Sequence, residues 1–329
     1  MGVGIEERMI DPMVPRTAPD SAVNFRFSGH ESFPLRYAWL PKAVRAIAAN
    51  PNAFADEESA MVELGLGKNM VRALRFWVQA TRIAVAGRGL KVTDFGQAIL
   101  LKKRGDPYLE DVRTLWLLHW KLATHVKEPL FAWDYMLNRW QEPEIARSRV
   151  IRVFQFEAEA MGRKLSRVTI EQHFDVFIHT YIPTRGRKAE VQEDSLDCPL
   201  VQIELLEQVG ERAAENSNKG EAIYAFRREE KPEISAGLFC YCLNDFWNGR
   251  HGNEKTISFK EVATGHGSPG QIFKLPEADV RERLDAISSD SDSIFEFEES
   301  AAAQTVIRRE QPDDAQMLKF IYDQQAVAI

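Results

Sequence analysis

The sequence lacks the features of a membrane-spanning or exported protein. No run of about 18 apolar residues occurs, which is the length that a transmembrane helix requires. The N-terminal 23 residues contain no apolar segment of signal-peptide type and carry acidic residues early. We therefore expect a cytoplasmic protein that does not contact a membrane.

Cysteine is scarce, with 3 residues in a chain of 329. Cys198, Cys240 and Cys242 form neither a C-x-x-C pair nor a zinc-ligand spacing, which argues against a redox motif and a structural zinc site. Cys240 and Cys242 lie in the apolar run LFCYCL, which resembles a β-strand, and a period of two would place both on one face of it. We interpret these residues as reduced structural thiols.

Recognisable catalytic motifs are also missing. The sequence contains neither a P-loop nor a dinucleotide-binding fingerprint, and it has no Ser-His-Asp order. Asp194, Asp197 and Glu204 form a carboxylate cluster that suits a divalent cation, but such clusters are usually solvated turns and no E-x-K sequence follows. His119 and His179 lie in apolar helical patterns, which is typical of core histidines.

The charge is unevenly distributed along the chain. A net charge of −7 argues against a protein that coats nucleic acid with its whole surface. Between Lys68 and Arg104, however, there are nine lysine and arginine residues and a single acid, Asp94. A basic segment within an acidic chain is typical of a localised DNA-binding surface.

Residues 64–91 have the pattern of a winged helix-turn-helix. From Lys68 to about Ala84, apolar residues recur at helical spacing after a Gly-Leu-Gly turn, and a Gly-Arg-Gly turn then separates two strand-like runs. The DNA-binding residues that we predict on this helix and hairpin are Lys68, Asn69, Arg72, Arg75, Arg88 and Lys91. The alternative is a winged helix that serves protein association and has a solvated basic face.

Two polar turns are candidates for chemistry. In FSGHESFPLR, His30, Glu31 and Arg36 combine an imidazole, a carboxylate and a guanidinium, which suits general acid-base catalysis or phosphate binding. We predict these three as catalytic residues; the alternative is a capping turn in which Arg36 pairs with Glu31. The second turn, GHGSPG from Gly265 to Gly270, offers backbone N–H groups to a phosphate, with a plain loop as the favoured alternative.

Length and pattern together predict the domain organisation. We expect a flexible N-terminal arm over residues 1–23 and a winged-helix DNA-binding domain over 24–105. A mostly helical C-terminal domain with short strands is predicted for 106–329. The fold class is thus mainly α with small β elements (α+β): a winged helix-turn-helix followed by a helical domain with a small sheet.

Several motifs in one order resemble a known bacterial family. They span about residues 24–285 and read FSGHESFPLRYAWLPK, GLGKNMVRALRFW, DPYLEDVRTLWLLHWKLAT, DVFIHTYIP, EDSLDCPLV and GSPGQIFKL. Each motif is weak alone, but the ordered set resembles the SspB-like family of unknown function. Members of this family are associated with DNA phosphorothioation clusters.

The resemblance implies an activity and a set of partners. It implies a DNA-nicking endonuclease of a phage-defence system, which opens one strand of double-stranded DNA so that a phosphate oxygen is replaced by sulfur. The implied protein partners are a cysteine desulfurase, a PAPS-reductase-like ATP pyrophosphatase and an ATPase, and the sequence leaves a homodimer open. We expect a divalent metal, Mg²⁺ or Mn²⁺, from the chemistry of phosphodiester hydrolysis. The alternative function is a non-catalytic DNA-binding adaptor or transcriptional regulator that recruits the modification enzymes.

Overall fold

A computed structural model describes residues 23–103, 105–183, 198–213, 220–301 and 303–323. In these ranges the chain forms mainly helices, together with eight short strands. The predicted α+β class is confirmed. The predicted N-terminal arm lies outside the described residues except for residue 23.

The N-terminal elements are, in order, three helices, a hairpin and a fourth helix. They are α1 (Trp39–Ala49), α2 (Glu57–Leu64), α3 (Lys68–Ala80), β1 (Ala84–Ala86), β2 (Leu90–Val92) and α4 (Asp94–Leu100). β1 and β2 pair antiparallel. The order is that of a winged helix-turn-helix, although assignment to that fold stays a prediction.

Local sequence signals explain where these helices begin and end. The Asp56 carboxylate accepts the Ser59 N–H and caps α2, which ends at Gly65 with a left-handed φ of 62°. Thr93 caps α4 by accepting the Gly96 N–H. Pro41 lies in the first turn of α1, where its missing N–H costs no helical hydrogen bond.

The middle of the chain is mainly helical, as predicted for the region after residue 105, and it is rich in tryptophan. Its elements are α5 (Val112–Ala123), α6 (Phe131–Asn138), β3 (Ile145–Ala146), α7 (Arg147–Ala160) and α8 (Arg167–Tyr181). Trp116, Trp120 and Trp133 are fully buried. Ser166 accepts the Thr169 N–H and caps α8, which begins at Arg167.

The remaining elements form two antiparallel three-stranded sheets among helices. In chain order they are a 3₁₀ helix (Pro199–Ile203), β4 (Leu206–Ala213), β5 (Gly220–Phe226), α9 (Ala236–Arg250), β6 (Thr256–Ser258), α10 (Phe259–Thr264), α11 (Pro269–Phe273), α12 (Glu277–Asp290), β7 (Phe295–Glu299), β8 (Gln304–Arg308) and α13 (Asp314–Asp323). The strand orders are β3-β5-β4 and β6-β8-β7.

The strand prediction for LFCYCL is wrong, because this run lies in α9. Ser235 caps the helix, and residues from Gly237 to Asn244 are all buried. A helix that is buried on every side has no polar face, so its sequence lacks the usual 3.6-residue alternation. Cys240 and Cys242 are buried free thiols, as is Cys198, which confirms the structural interpretation.

One hydrophobic core joins the N-terminal elements to the rest of the chain. The Phe27 ring stacks on Phe131 with centroids 4.5 Å apart, and Trp77 of α3 meets Trp133 of α6 at 6.1 Å. The core therefore crosses the predicted boundary between residues 105 and 106, although the division into two domains stays a prediction. Among the described residues, no helix combines the length and the apolar character needed to cross a membrane.

Candidate functional site

Helix α3 divides sharply into a buried face and an exposed face. Val71, Leu74 and Trp77 are buried against the core. The four predicted DNA-binding residues of this helix are all exposed: Lys68, Asn69, Arg72 and Arg75. The structure therefore brings them together on one solvent-facing surface.

The hairpin that follows α3 exposes the other two predicted residues, Arg88 and Lys91. Its tip is fixed against the loop between α1 and α2, because the Leu90 N–H donates to the Pro51 carbonyl oxygen at 2.8 Å. A Cβ on Gly89 would lie only 2.6 Å from that oxygen, so the close approach requires glycine. We call the six predicted DNA-binding residues of α3 and the hairpin the basic face: Lys68, Asn69, Arg72, Arg75, Arg88 and Lys91.

An acid from the preceding helix already pairs with the basic face. The Glu57 carboxylate accepts hydrogen bonds from Arg72 Nε at 2.7 Å and Nη2 at 3.1 Å, and Lys68 Nζ lies 3.3 Å away. The hydrogen bond from Arg72 lowers the pKa of Glu57 and, in return, raises the pKa of Arg72. The sequence places Glu57 in the first turn of α2 but does not reveal this pairing.

His30 lies in the interior, where both of its ring nitrogens are engaged. The Nδ1–H donates to the Glu31 carbonyl oxygen at 2.8 Å, and Nε2 lies 2.9 Å from Nδ1 of His173 on α8. His173 in turn accepts the Ala132 N–H at 2.9 Å. Burial lowers the pKa of His30 to about 4, and the charge of Arg26 contributes, so the imidazole is neutral at physiological pH. These contacts favour a structural role over the predicted catalytic one.

Glu31 and Arg36 have surroundings that differ from those of His30. Glu31 is partly exposed and adopts a left-handed φ of 54°, and its charge acts on Arg72 of the basic face. The Arg36 guanidinium lies over the rings of Trp39 and Phe33, at 5.7 and 5.9 Å from their centroids. The catalytic role of His30, Glu31 and Arg36 stays a prediction.

A charge cluster anchors the end of α3 to the C-terminal helices. Asp245 of α9 accepts hydrogen bonds from Trp120 Nε1 at 2.7 Å and Lys121 Nζ at 2.9 Å, and Arg82 Nη1 lies 3.7 Å away. Burial raises the pKa of Asp245, but the charges of Lys121 and Arg82 outweigh that effect and lower it. Because Arg82 links α3 to β1, the cluster fixes the hairpin relative to the core.

The glycine-rich turn is more ordered than the predicted plain loop. Ser268 caps α11, and His266 Nε2 lies 2.8 Å from Oδ1 of Asp134 on α6. Reasoning from the sequence missed Asp134, although a single acid inside the apolar run LFAWDYML was a signal for it. His119, by contrast, is a core histidine as predicted: it contacts the Tyr181 hydroxyl and the Ile272 carbonyl oxygen.

A metal centre is not evident in the described part of the chain. There, no three His, Cys, Asp or Glu side chains come close enough to hold a metal ion. Asp194 and Asp197 of the predicted carboxylate cluster lie outside the described residues. Glu204 is exposed and pairs with Arg227 at 2.7 Å. The expected divalent metal stays a prediction.

Comparisons with known proteins agree with the motif resemblance. The model of a family described as a protein of unknown function (DUF4007) matches residues 27–322. A magnesium ion-bound crystal structure of SspB is 25% identical with a TM-score of 0.78, covering 92% of this chain and 90% of that chain. A second SspB crystal structure is 24% identical with a TM-score of 0.77 and the same coverage. No curated protein sequence matches the chain. The resemblance to the SspB-like family is thus confirmed.

Proposed function

Since the chain belongs to the DUF4007 family and its backbone follows that of SspB over 92% of its length, we propose that it is a component of a bacterial DNA phosphorothioation and phage-defence system. In this role it binds double-stranded DNA and nicks one strand in the cytoplasm. A cysteine desulfurase, a PAPS-reductase-like ATP pyrophosphatase and an ATPase then act with it to exchange a phosphate oxygen for sulfur.

The observation that carries the DNA-binding part is the basic face. A helix whose N-terminal half presents Lys68, Asn69 and Arg72 to solvent suits a DNA groove, where amide and guanidinium groups contact base edges and phosphates. The fixed hairpin adds Arg88 and Lys91 at a position suited to the backbone of the duplex. Five of the six side chains of the basic face are positively charged, on a chain whose net charge is −7, and Asn69 adds a neutral amide.

The second candidate function is a non-catalytic DNA-binding adaptor. It is favoured by the absence, among the described residues, of a cluster that could hold a metal ion. An adaptor would need the basic face alone and would deliver the DNA to its partner enzymes.

Gel-shift and plasmid-nicking assays test both parts. We expect wild-type protein to shift a DNA duplex, and we expect the double variant Arg72→Glu/Arg75→Glu to bind at least about tenfold more weakly with a salt slope smaller by about two. The matched control is Lys164→Glu/Lys319→Glu, which reverses two exposed lysines outside the basic face and should bind normally. Equal affinity of both double variants would refute the role of the basic face.

Nicking is measured on supercoiled plasmid with Mg²⁺, with Mn²⁺ and with EDTA. Relaxed circles from the wild-type protein support the nickase, and their loss in EDTA supports a metal requirement. Binding without relaxation under all three conditions would refute the nickase and support the adaptor. Failure to bind any duplex would refute both.

A further inference from the structure

A histidine-carboxylate pair lies outside α3 and the hairpin, where the turn between α10 and α11 meets α6. His266 Nε2 is 2.8 Å from Oδ1 of Asp134, while Oδ2 of the same carboxylate accepts a hydrogen bond from Arg139 Nη2 at 2.7 Å. The Asp134 side chain is only 8% exposed, whereas the His266 side chain is 41% exposed. A buried carboxylate thus holds an imidazole that faces solvent.

The turn that carries His266 is anchored to the end of α6. The Gly267 N–H donates to Oδ1 of Asn138 at 2.7 Å, and Gln271 Nε2 donates to the Leu137 carbonyl oxygen at the same distance. Gly267 has a left-handed φ of 78°, which is accessible to glycine without strain. The imidazole is therefore oriented by backbone contacts as well as by Asp134.

The hydrogen bonds determine which ring nitrogen can accept a proton. Burial raises the pKa of Asp134, but the hydrogen bond from His266 and the charge of Arg139 outweigh that effect, so the pKa is lowered overall. The carboxylate is therefore ionised at neutral pH. An ionised carboxylate only accepts, so His266 must donate from Nε2–H. The lone pair of the neutral ring is then on Nδ1, for which no partner exists among the described residues.

A guanidinium lies close to the turn that carries His266. Arg250, at the end of α9, is exposed at the residue level and packs against Gly267, where a Cβ would lie 2.9 Å from Arg250 Nε. The Arg250 guanidinium can occupy this position because residue 267 is a glycine and has no side chain. Guanidinium groups suit phosphate oxygens in charge and in hydrogen-bond geometry.

From this geometry we propose that His266 is the general base of the nicking reaction, with Asp134 as its positioning residue and Arg250 as a phosphate contact. The proposal rests on the proposed nickase function. His266 Nδ1 removes a proton from water as the water oxygen bonds to phosphorus. The bond from phosphorus to the leaving deoxyribose oxygen breaks, and that oxygen takes a proton from solvent. Asp134 stabilises the imidazolium of His266 until the imidazolium releases its proton to solvent.

The decisive variant is His266→Gln. The glutamine amide reaches the same carboxylate with an N–H donor, so the hydrogen bond to Asp134 is retained while the basic nitrogen is lost. We expect nicking to slow by about 100-fold or more, with unchanged melting temperature and DNA affinity. His125→Gln is the matched control, because it changes a histidine outside this pair and should nick like the wild type.

Chemical rescue separates catalysis from structure. Added imidazole should restore part of the nicking rate in His266→Ala but not in His266→Gln, whose side chain occupies the site. If wild-type protein nicks and His266→Gln nicks at the same rate, the assignment of His266 is refuted and the proposed function stands. If the wild-type protein binds DNA but never nicks, the nickase and this assignment are both refuted.

Discussion

Glu57→Gln tests whether the pairing of Glu57 with α3 restrains DNA binding. In the free protein the carboxylate is shared by Arg72 and Lys68, at 2.7 and 3.3 Å. A DNA phosphate that contacts these two side chains must compete with Glu57 for the same donors. Glutamine keeps the size of the side chain but removes its charge, so we expect the variant to bind a duplex more tightly than the wild type.

The size of the effect follows from the charge that Glu57 cancels. The logarithm of the DNA-binding constant falls with the logarithm of salt concentration by about 0.9 for each phosphate neutralised on B-DNA. One additional uncompensated positive charge therefore steepens the slope of Glu57→Gln by about 0.9. Between about 50 and 200 mM salt, the advantage of the variant over the wild type should shrink about 3.5-fold.

The assay is a salt titration of duplex binding by fluorescence anisotropy. Glu58→Gln is the matched control, because Glu58 lies in the same first turn of α2 and no ion pair to it is found among the described residues. We expect its slope to equal that of the wild type. Equal slopes for all three proteins would refute the competition, and an equal increase in both variants would attribute the effect to net charge alone.

Two further predictions concern stability. Burial lowers the pKa of His30 and of His119 to about 4, so each histidine contributes stability that is present above about pH 6.5 and is lost as the pH falls toward 4. At pH 5 the free energy of unfolding should be lower by about 2 kcal/mol for each histidine. Equal melting temperatures at pH 7.5 and pH 5 would contradict this prediction. Asp245→Asn should lower the free energy of unfolding by about 3–5 kcal/mol, because it leaves the Lys121 ammonium buried without its carboxylate. Adding Lys121→Met to this variant should recover part of the loss, as measured by denaturant titration. No recovery in that double variant would show that the cost arises from packing rather than charge.

Short-range signals made the N-terminal elements predictable. The cap at Asp56, the left-handed Gly65 and the cap at Thr93 each act within three residues, so the sequence alone locates the helix ends. The helix of the basic face was predicted from Lys68 and ends at Ala80, a few residues earlier than expected. Helix α9 was not predictable in the same way, because its burial on all sides removed the periodicity.

The contacts that decide the role of each site residue are distant in sequence. His30 meets His173 across 143 positions, and Asp134 meets His266 across 132. No pattern within a window of ordinary helix length reveals such a pair. The exposed face of α3 was predictable from periodicity. The hydrogen bonds of both His30 ring nitrogens and the exposure of His266 could be seen only in the folded structure.

The same distant contacts affect the order in which the chain can fold during synthesis. The Arg26 N–H donates to Pro129 O, the Phe131 N–H donates to Arg26 O, and Arg113 reaches the Ile321 carbonyl oxygen across 208 positions. The N-terminal segment therefore cannot complete its contacts until α6 and α8 have left the ribosome. Arg113 can form its hydrogen bond to Ile321 only after α13 has been synthesised. Until then Phe27 and Trp77 expose apolar surface to which chaperones can bind. A fragment that ends at residue 105 would expose the same surface permanently, because it lacks Phe131 and Trp133.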